Sequence, residues 1–424
     1  MRKIISGRRN SSGSAGSFVF TIDTSVAGDS GVNFFRVPIA SAFPGGGGTM
    51  AFTANWGDGT PPTIINASNY TTATLHNYGS ASTWTVKLTG LVRGFGFGNM
   101  PAGGNDDVKI TEVTQWGDYI GTQNRVFKDC TNLSLVSAAD APLLEHQSTA
   151  FEMFYRCANL IAINNIANWD TSRLTTMQRM FNLCTKFQFG DAPGSTNPDL
   201  SAWDVNNVSN FQNMFYAAQA FNGKMFDVTS TATGSSLDYM FFRAYAFNNN
   251  GSPDIDNWDV SNTTQLSNVF FGAKDFNQPL NNWNVSSVTR MENLFSGWNN
   301  VMTFNQPLSN WDTANVTRMN GMFFDNPAFD QDLRNWNVNA WNNPNSGSYV
   351  NITGSGTGND LTLSTTNYNA LLIAWDQYAF PSWPGGTVDF GNSQYSLVSP
   401  GGAVVTARNS LIAKWGAISD GGGI

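Results

Sequence analysis

Charged side chains are scarce in this sequence. Only 12% of its 424 residues are charged, and the net charge is −8. Phosphate binding needs clustered lysine and arginine, so this composition argues against a nucleic-acid-binding protein. Hydrophobic residues make up 41% and aromatic residues 13%, which suffices for a core and excludes a disordered chain. The exterior must then consist mostly of Asn, Ser, Thr and Gly, a surface suited to neutral glycans or to proteins.

Histidine is also rare, and long apolar runs are missing. The two histidines, His76 and His146, lie far apart in the sequence, and neither neighbours a nucleophile motif such as G-x-S-x-G. A catalytic triad or a zinc site is therefore poorly supported. No run of eighteen apolar residues occurs, so we expect no membrane insertion.

The three cysteines share one register. They recur at equal intervals, and alanine occupies the same register in later repeats. The cysteines are Cys130, Cys157 and Cys184, and the alanines are Ala218, Ala244 and Ala273. Exchange of Cys with Ala indicates a small buried residue, with a disulfide between neighbouring repeats as the alternative. No C-x-x-C pair is present, so we predict no metal ligand and no cofactor.

A repeat of about 26 residues runs through the middle of the chain. One phenylalanine, always after an apolar residue, recurs at nearly regular steps, of which the third is the longest. These marker phenylalanines are Phe127, Phe154, Phe181, Phe215, Phe241, Phe270, Phe295 and Phe323. A tryptophan series has the same period, with MFDV at 225–228 replacing one copy: Trp169, Trp203, Trp258, Trp283, Trp311 and Trp336. Two independent series with one period indicate a genuine repeat.

Each repeat changes its apolar spacing halfway. Trp283 and Val285 alternate as on a strand, whereas Val288, Met291 and Leu294 follow at the spacing of one helix face. Neither half can bury its apolar face alone, but stacked repeats bury a continuous ribbon. The pattern therefore predicts a solenoid with one strand and one short helix in each coil.

The repeats resemble the BspA-type leucine-rich-repeat surface proteins, also called DUF285. WDVSNTTQLSNVFFGAKDFNQPL at 258–280 and the segment 283–308 carry the resemblance most closely. ITEVTQWGDY at 110–119 is similar to the lead-in of that family, and residues 368–424 are similar to its terminal unit. The long step from Phe181 to Phe215 and Met225 in place of tryptophan depart from the pattern, so we expect a loop or a distorted coil there.

The segment before the repeats differs in kind. Short alternating runs at 18–22, 50–56 and 83–92, separated by Gly, Pro and Asn, predict an antiparallel β-sandwich. NWGDGT at 55–60 and HNYGSASTWTVKL at 76–88 resemble the polycystic-kidney-disease (PKD) type of immunoglobulin-like domain. Within NWGDGT, Asp58 fits a turn-capping residue. A calcium ligand is the alternative, and it is the one cofactor left open.

These features predict an α+β chain with four parts. They are a flexible basic arm at 1–16, a PKD/Ig-like β-sandwich at 17–98, a BspA-type leucine-rich-repeat solenoid at 99–345 and C-terminal capping repeats at 346–424. A cap is needed because the last coil of a solenoid otherwise exposes apolar surface. In the cap we predict a helix with four apolar residues on one face, a strand at 387–390 and a helix ending near Trp415. The four residues are Tyr368, Leu371, Leu372 and Trp375.

One polar position directly follows the inward Trp of each repeat. Strand alternation points it outward, and stacking lines its copies up at about 4.8 Å. Asp170, Asp204, Asp259, Asn284, Asp312 and Asn337 occupy it, and we call them the Asx column. The column is either a solvated polar ladder or a strip that binds a glycan, a protein or a cation. Six copies favour binding over catalysis, because an active site needs one asymmetric constellation; we predict no catalytic residues.

Three functions are consistent with these patterns. The first is non-enzymatic recognition or adhesion, with the solenoid binding a host or cell-surface glycan or protein. The family resemblance implies surface proteins with adhesive roles. The second is a rigid structural spacer. The third is a carbohydrate-cleaving enzyme, which would need only two carboxylates.

The start of the sequence bears on where the protein works. MRKIISGRRNSSGSAGS is basic and then polar, without the apolar segment of a signal peptide. We therefore expect a virus or phage particle protein, a surface decoration or fibre whose arm at 1–16 contacts other particle proteins. A bacterial cell-surface or secreted adhesin is the alternative. A homo-oligomer stays open, although coiled-coil heptads are absent from the sequence.

Overall fold

The computed structural model describes most of the chain. The described residues are 16–39, 51–92, 94–100, 105–117, 119, 124–144, 148–190, 196–228, 236–297, 301–340, 350–352, 361–378, 386–398 and 402–424. The predicted arm, apart from Gly16, and the glycine run at 45–48 lie outside them. No helix among the described residues has the length and apolar character needed to cross a bilayer.

Strands are short and helices are few. The strands are β1 (Phe18–Asp23), β2 (Phe34–Arg36), β3 (Ala51–Asn55), β4 (Thr63–Asn66), β5 (Leu75–Asn77), β6 (Thr83–Leu91), β7 (Ile110–Gln115), β8 (Leu135–Val136), β9 (Ala162–Ile163), β10 (Val350–Asn351), β11 (Gly386–Asp389) and β12 (Gly416–Ser419). The α-helices are α1 (Tyr70–Ala73), α2 (Thr365–Asp376) and α3 (Ala403–Trp415). Short 3₁₀ helices span Phe97–Asn99, Asp107–Lys109, Ile166–Asn168, Asn249–Gly251 and Pro253–Asn257.

An antiparallel sheet organises the N-terminal part. β1 pairs with β6 on one side and with β7 on the other, and β3 and β4 extend the sheet beyond β6. Phe18, Phe20 and Ile22 of β1 are fully buried, as strand alternation requires. β2 and β5 form a separate two-stranded sheet, where the Phe35 ring lies 5.9 Å from that of Phe20. The strands predicted at 18–22, 50–56 and 83–92 are confirmed as β1, β3 and β6.

The same sheet continues into the repeats. β7 pairs in parallel with β8, and β8 pairs in parallel with β9, giving the strand order β4-β3-β6-β1-β7-β8-β9. The sheet therefore crosses residue 98, where the sequence predicted a boundary between two parts. Backbone pairing through β7 couples the antiparallel region to the first repeats.

Neither the strand nor the helix lies where it was predicted within the repeats. Residues 258–260 and 283–285, where strands were expected, are irregular, and the later half of each repeat is a series of turns. The residue two positions before every marker phenylalanine has a left-handed φ, such as 62° at Asn268. In most repeats a second one follows four positions later, such as Gly272 with φ 69°. A left-handed residue at that spacing interrupts helical hydrogen bonding, so the apolar spacing of three and four arises without a helix.

Alternate backbone amides in these turns bond to the next repeat. Phe154 N donates to Met180 O at 2.9 Å, and Glu152 N donates to Gln178 O at 3.1 Å. The amides between them close turns within the repeat, as Tyr155 N does with Glu152 O. Because this alternation satisfies the backbone on both sides, successive repeats stack with a fixed register.

Aromatic side chains form continuous columns inside the stack. Neighbouring marker phenylalanine rings lie 5.3–5.9 Å apart and are nearly parallel. The six tryptophans of the repeats are at most 3% exposed, which confirms their predicted inward position. Where tryptophan is missing, Phe226 rather than Met225 fills the space, with its ring 6.3 Å from Trp203 and 5.9 Å from Trp258. The column is therefore uninterrupted there.

The C-terminal part returns to regular secondary structure. β10, β11 and β12 form a parallel sheet, with α3 connecting β11 to β12. The four α2 residues predicted to share one face are all buried, and α3 ends at Trp415 as predicted. The last marker phenylalanine joins this part to the stack, because Phe323 N donates to Ile352 O at 2.9 Å.

Candidate binding surface

The Asx column lies on the outside of the stack, directly after each buried tryptophan. Asp170, Asp204, Asn284 and Asp312 are exposed, and Asp259 and Asn337 are half-buried. These residues lie in turns and not in the predicted strand, because each side chain accepts a hydrogen bond from the backbone of the same turn. The backbone N–H two positions later donates to Oδ1 of each at 3.0–3.2 Å. The second carboxylate oxygen of each aspartate takes no part in this bond.

The indole nitrogens beside the column tie the repeats together. Each N–H from the second tryptophan onward donates to a backbone carbonyl of the preceding repeat at 2.8–3.0 Å. Trp311 Nε1, for example, donates to Leu280 O. These bonds fix the coil on which the Asx column is carried, and sequence spacing alone did not indicate them.

A ladder of amide side chains, also missed by sequence reasoning, lies at another edge of the repeats. Asn248 Oδ1 accepts from Asn277 N, and Asn277 Oδ1 accepts from Asn305 N, both at 2.9 Å. Gln278 and Gln306 add side-chain bonds to the same two acceptors. The signal was present in the sequence, since the Asn and Gln of each FNQPL motif recur in one register. Their role is to connect coils, which removes them from the candidate ligand-binding residues.

A charge cluster joins the first three repeats. Glu152 is 3% exposed, and its carboxylate contacts Arg125, Lys128 and Arg179 at 2.9–3.1 Å. Burial by itself raises the pKa of Glu152, but the hydrogen bonds from Lys128, Arg179 and Arg125 outweigh it and leave the pKa below its ordinary value. Arg125, Glu152 and Arg179 occupy the same register of successive repeats, so aligning the repeats would have revealed the cluster.

The predicted turn residue Asp58 is part of an aromatic and ionic cluster. Its Oδ1 accepts from Thr60 N at 3.0 Å, and its Oδ2 lies 2.7 Å from His76 Nε2. The His76 ring stacks on Trp56 at 4.7 Å. Burial favours the neutral acid, but the hydrogen bonds from Thr60 and His76 lower the pKa of Asp58 to about 2. Asp58 therefore caps its turn, as the first of the two sequence interpretations had it.

The three cysteines lie in the core of the stack. All three cysteines are buried and free, as the register with alanine predicted. Burial raises the pKa of each thiol, which keeps it protonated and unreactive. The described residues hold no group of three or more His, Cys, Asp or Glu side chains placed to bind a metal ion.

One cavity breaks the regularity of the stack. It has a volume of about 150 Å³ and lies beside the long step between the third and fourth marker phenylalanines. Its walls are the turn at 165–168 on one side and Gly190 with residues 196, 197 and 199 on the other. Residues 191–195 of this long step, where a loop was predicted, lie outside the described residues.

Comparison with known proteins concerns the repeats. Residues 123–253 and 250–349 match a family model described as "Mycoplasma protein of unknown function, DUF285". No curated protein matches the chain, and no solved structure does. The matched residues span more than half of the sequence, and the chain belongs to the DUF285 family.

Proposed function

We propose that this chain is a non-enzymatic recognition protein displayed on a surface, and that its repeats bind a host or cell-surface glycan or protein. The single observation that carries the proposal is the Asx column. It repeats at one register of a stack held by backbone, indole and amide bonds, and it stays outside the core. A rigid, repeated polar edge suits an extended partner.

The charge of the column supports a role beyond holding the turns. Asn284 and Asn337 make the same Oδ1 turn bond as the four aspartates. A neutral amide therefore fulfils the structural task, and the carboxylates at the other positions add a charge that the coil does not need. Aligned like charges repel one another, so we infer that their retention serves a partner.

The proposal also covers the type of repeat, the type of the N-terminal part and the location of the protein. We infer that the coils are a variant of the leucine-rich-repeat solenoid, because their apolar positions follow that spacing. We infer a PKD-like N-terminal part from the turn that Asp58 caps and from the adjoining His76 strand. The repeats would face outward, while the N-terminal part and the arm at 1–16 would contact other proteins of a virus particle. A bacterial cell surface is the alternative location.

A substitution that the chain itself uses tests the proposal. Changing the four aspartates of the Asx column to asparagine keeps the turn bond and removes four charges. We expect weaker retention of the full chain on an array of glycans and on immobilised host envelope proteins, with an unchanged melting temperature. The opposite change, Asn284→Asp with Asn337→Asp, should not weaken retention. Equal retention across the series would contradict the proposal and leave the structural spacer.

Immunolabelling tests the location. An antibody against the repeats should stain intact particles in electron micrographs if the chain is a virion protein. Staining restricted to bacterial envelopes would favour the cell-surface alternative. Release of reducing sugars from a polysaccharide by the purified chain would instead support the carbohydrate-cleaving function.

A further inference from the structure

We propose that the cavity lined by residues 165–168, 190, 196, 197 and 199 binds the terminal sugar ring of an uncharged glycan. This inference rests on the proposed recognition function and names the ligand class for one site of that surface. The cavity differs from the Asx column because it occurs at the single long step of the repeat series. A site at a step that differs from those of the neighbouring repeats can select one ligand unit.

The lining determines the class of ligand. Three residues with amide side chains, one with a hydroxyl and one with a carboxylate line the cavity, and no cationic residue lines it among the described residues. They are Asn165, Asn168, Asn197, Thr196 and Asp199. Sugar hydroxyls both donate and accept hydrogen bonds, so amides and a carboxylate are suited to them. Among the described residues, one negatively charged residue and no cationic one line the cavity, and this disfavours an acidic sugar.

The size of the cavity limits what enters. A cavity of about 150 Å³ takes one benzene-sized group, which is smaller than a whole hexose. The Ile166 side chain is buried in the core, so half-buried Ala167 is the apolar residue of the lining that can contact the C–H face of a ring. One edge of a terminal ring therefore enters while its other hydroxyls stay in solvent, whereas the interior of a polysaccharide would have to pass across the opening.

Both walls are held in place by bonds to the stack. Trp203 Nε1 donates to Ile166 O at 2.8 Å, which fixes the turn on one side. On the other side, Gly190 N donates to Thr196 O at 3.1 Å, and Asn197 Nδ2 donates to Asn250 Oδ1 at 3.0 Å. A Cβ on Gly190 would lie 3.0 Å from Pro198 Cα, so a larger residue there would push against the backbone of the second wall. The cavity is thus preformed, which reduces the entropic cost of binding.

Filling the cavity is the decisive perturbation. Ala167→Leu adds apolar volume to the wall without removing a hydrogen-bonding side chain. The control is Ser309→Leu. Ser309 lies two residues before Trp311, as Ala167 lies two residues before Trp169, but the interval to the next repeat has regular length there. A second pair, Asn168→Ala and its control Asn310→Ala, compares the same residue type directly before Trp169 and before Trp311. Circular dichroism melting of each full-length variant verifies folding.

The binding experiment uses an array of neutral and acidic oligosaccharides, followed by titration of the methyl glycosides of the terminal sugars that are retained. We expect retained glycans to end in a neutral hexose, and Ala167→Leu and Asn168→Ala to weaken binding about tenfold or more. Ser309→Leu and Asn310→Ala should bind as the unmodified chain does. Retention of acidic glycans alone, or unchanged affinity in folded Ala167→Leu, would overturn the inference.

The outcomes also separate this inference from the recognition function. If the four Asp→Asn changes weaken glycan retention and Ala167→Leu does not, recognition stands and the cavity is not its site. If no glycan is retained but an envelope protein is, the recognition function stands with a protein partner and the sugar site is refuted. If neither is retained, the recognition function itself fails.

Discussion

Replacing Trp311 by phenylalanine tests the bonds that join the repeats. The indole Nε1–H donates to Leu280 O at 2.8 Å, and the side chain is 2% exposed. Phenylalanine keeps an aromatic ring in the column, as Phe226 does naturally, but it removes the donor. The Leu280 carbonyl also accepts from Trp283 N at 3.2 Å, so the substitution leaves that carbonyl with one bond.

The expected cost has two parts. Loss of the hydrogen bond from a buried site costs about 1 kcal/mol, near the lower end because the carbonyl keeps its other bond. The smaller ring removes the equivalent of one or two buried methylene groups at about 0.8 kcal/mol each, before any relaxation of the column. We therefore expect the free energy of unfolding to fall by about 2–3 kcal/mol.

Guanidinium unfolding followed by far-ultraviolet circular dichroism measures this loss, because the signal does not depend on tryptophan emission. The control is Trp84→Phe. Trp84 is half-buried, and its indole donates at 3.2 Å to a hydroxyl, Thr24 Oγ1, that has another partner in Ser82 O. We expect less than about 1 kcal/mol there. Equal losses in the two variants would refute the reasoning that the indole bonds hold the stack.

The buried ionisable groups give three further predictions. The cysteine thiols should react with Ellman's reagent only after denaturation, because burial keeps them protonated; labelling of the folded chain would contradict this. Asp58 has its pKa lowered to about 2, so its stabilisation is complete above pH 4 and is lost as the pH falls towards 2. Relative to Asp58→Asn, the unmodified chain should lose about 2 kcal/mol over that interval in urea titrations. Glu152→Gln leaves three cations around a neutral group and should cost about 2 kcal/mol, whereas an unchanged urea midpoint would show that the cluster contributes nothing.

The repeat and its buried residues could be read from the sequence, since the period and the apolar register need no knowledge of the backbone. The helix could not be distinguished from the turns. Both place apolar residues three and four apart, and the left-handed residues that exclude a helix include Arg125, Leu183 and Ala217, which carry no turn signal. The stacked repeats impose these conformations on them, so local preference does not predict them.

The candidate surface was predictable only in part. The outward position of the Asx column followed from its place beside a buried tryptophan, although the strand that was thought to carry it is absent. The ladder of Asn248 and Asn277 and the cluster around Glu152 depend on which side chains meet across repeats. Aligning one repeat under another supplies that information, whereas following the chain residue by residue does not.

Residues shared by the repeats and residues that differ between them have different tasks. The shared residues build the coil. The indole N–H donates to a backbone carbonyl of the previous repeat, and the Asn side chain of the FNQPL motif accepts a backbone N–H from the next repeat. Oδ1 of each residue in the Asx column closes a turn. Such residues would be retained whatever the partner. If the repeats bind a partner as proposed, we expect selectivity to lie where repeats differ, in the choice of Asp over Asn along the column and in the cavity beside Ala167. For this reason the main tests act where the repeats differ: Asp is exchanged for Asn along the column, and Ala167 is compared with its counterpart Ser309.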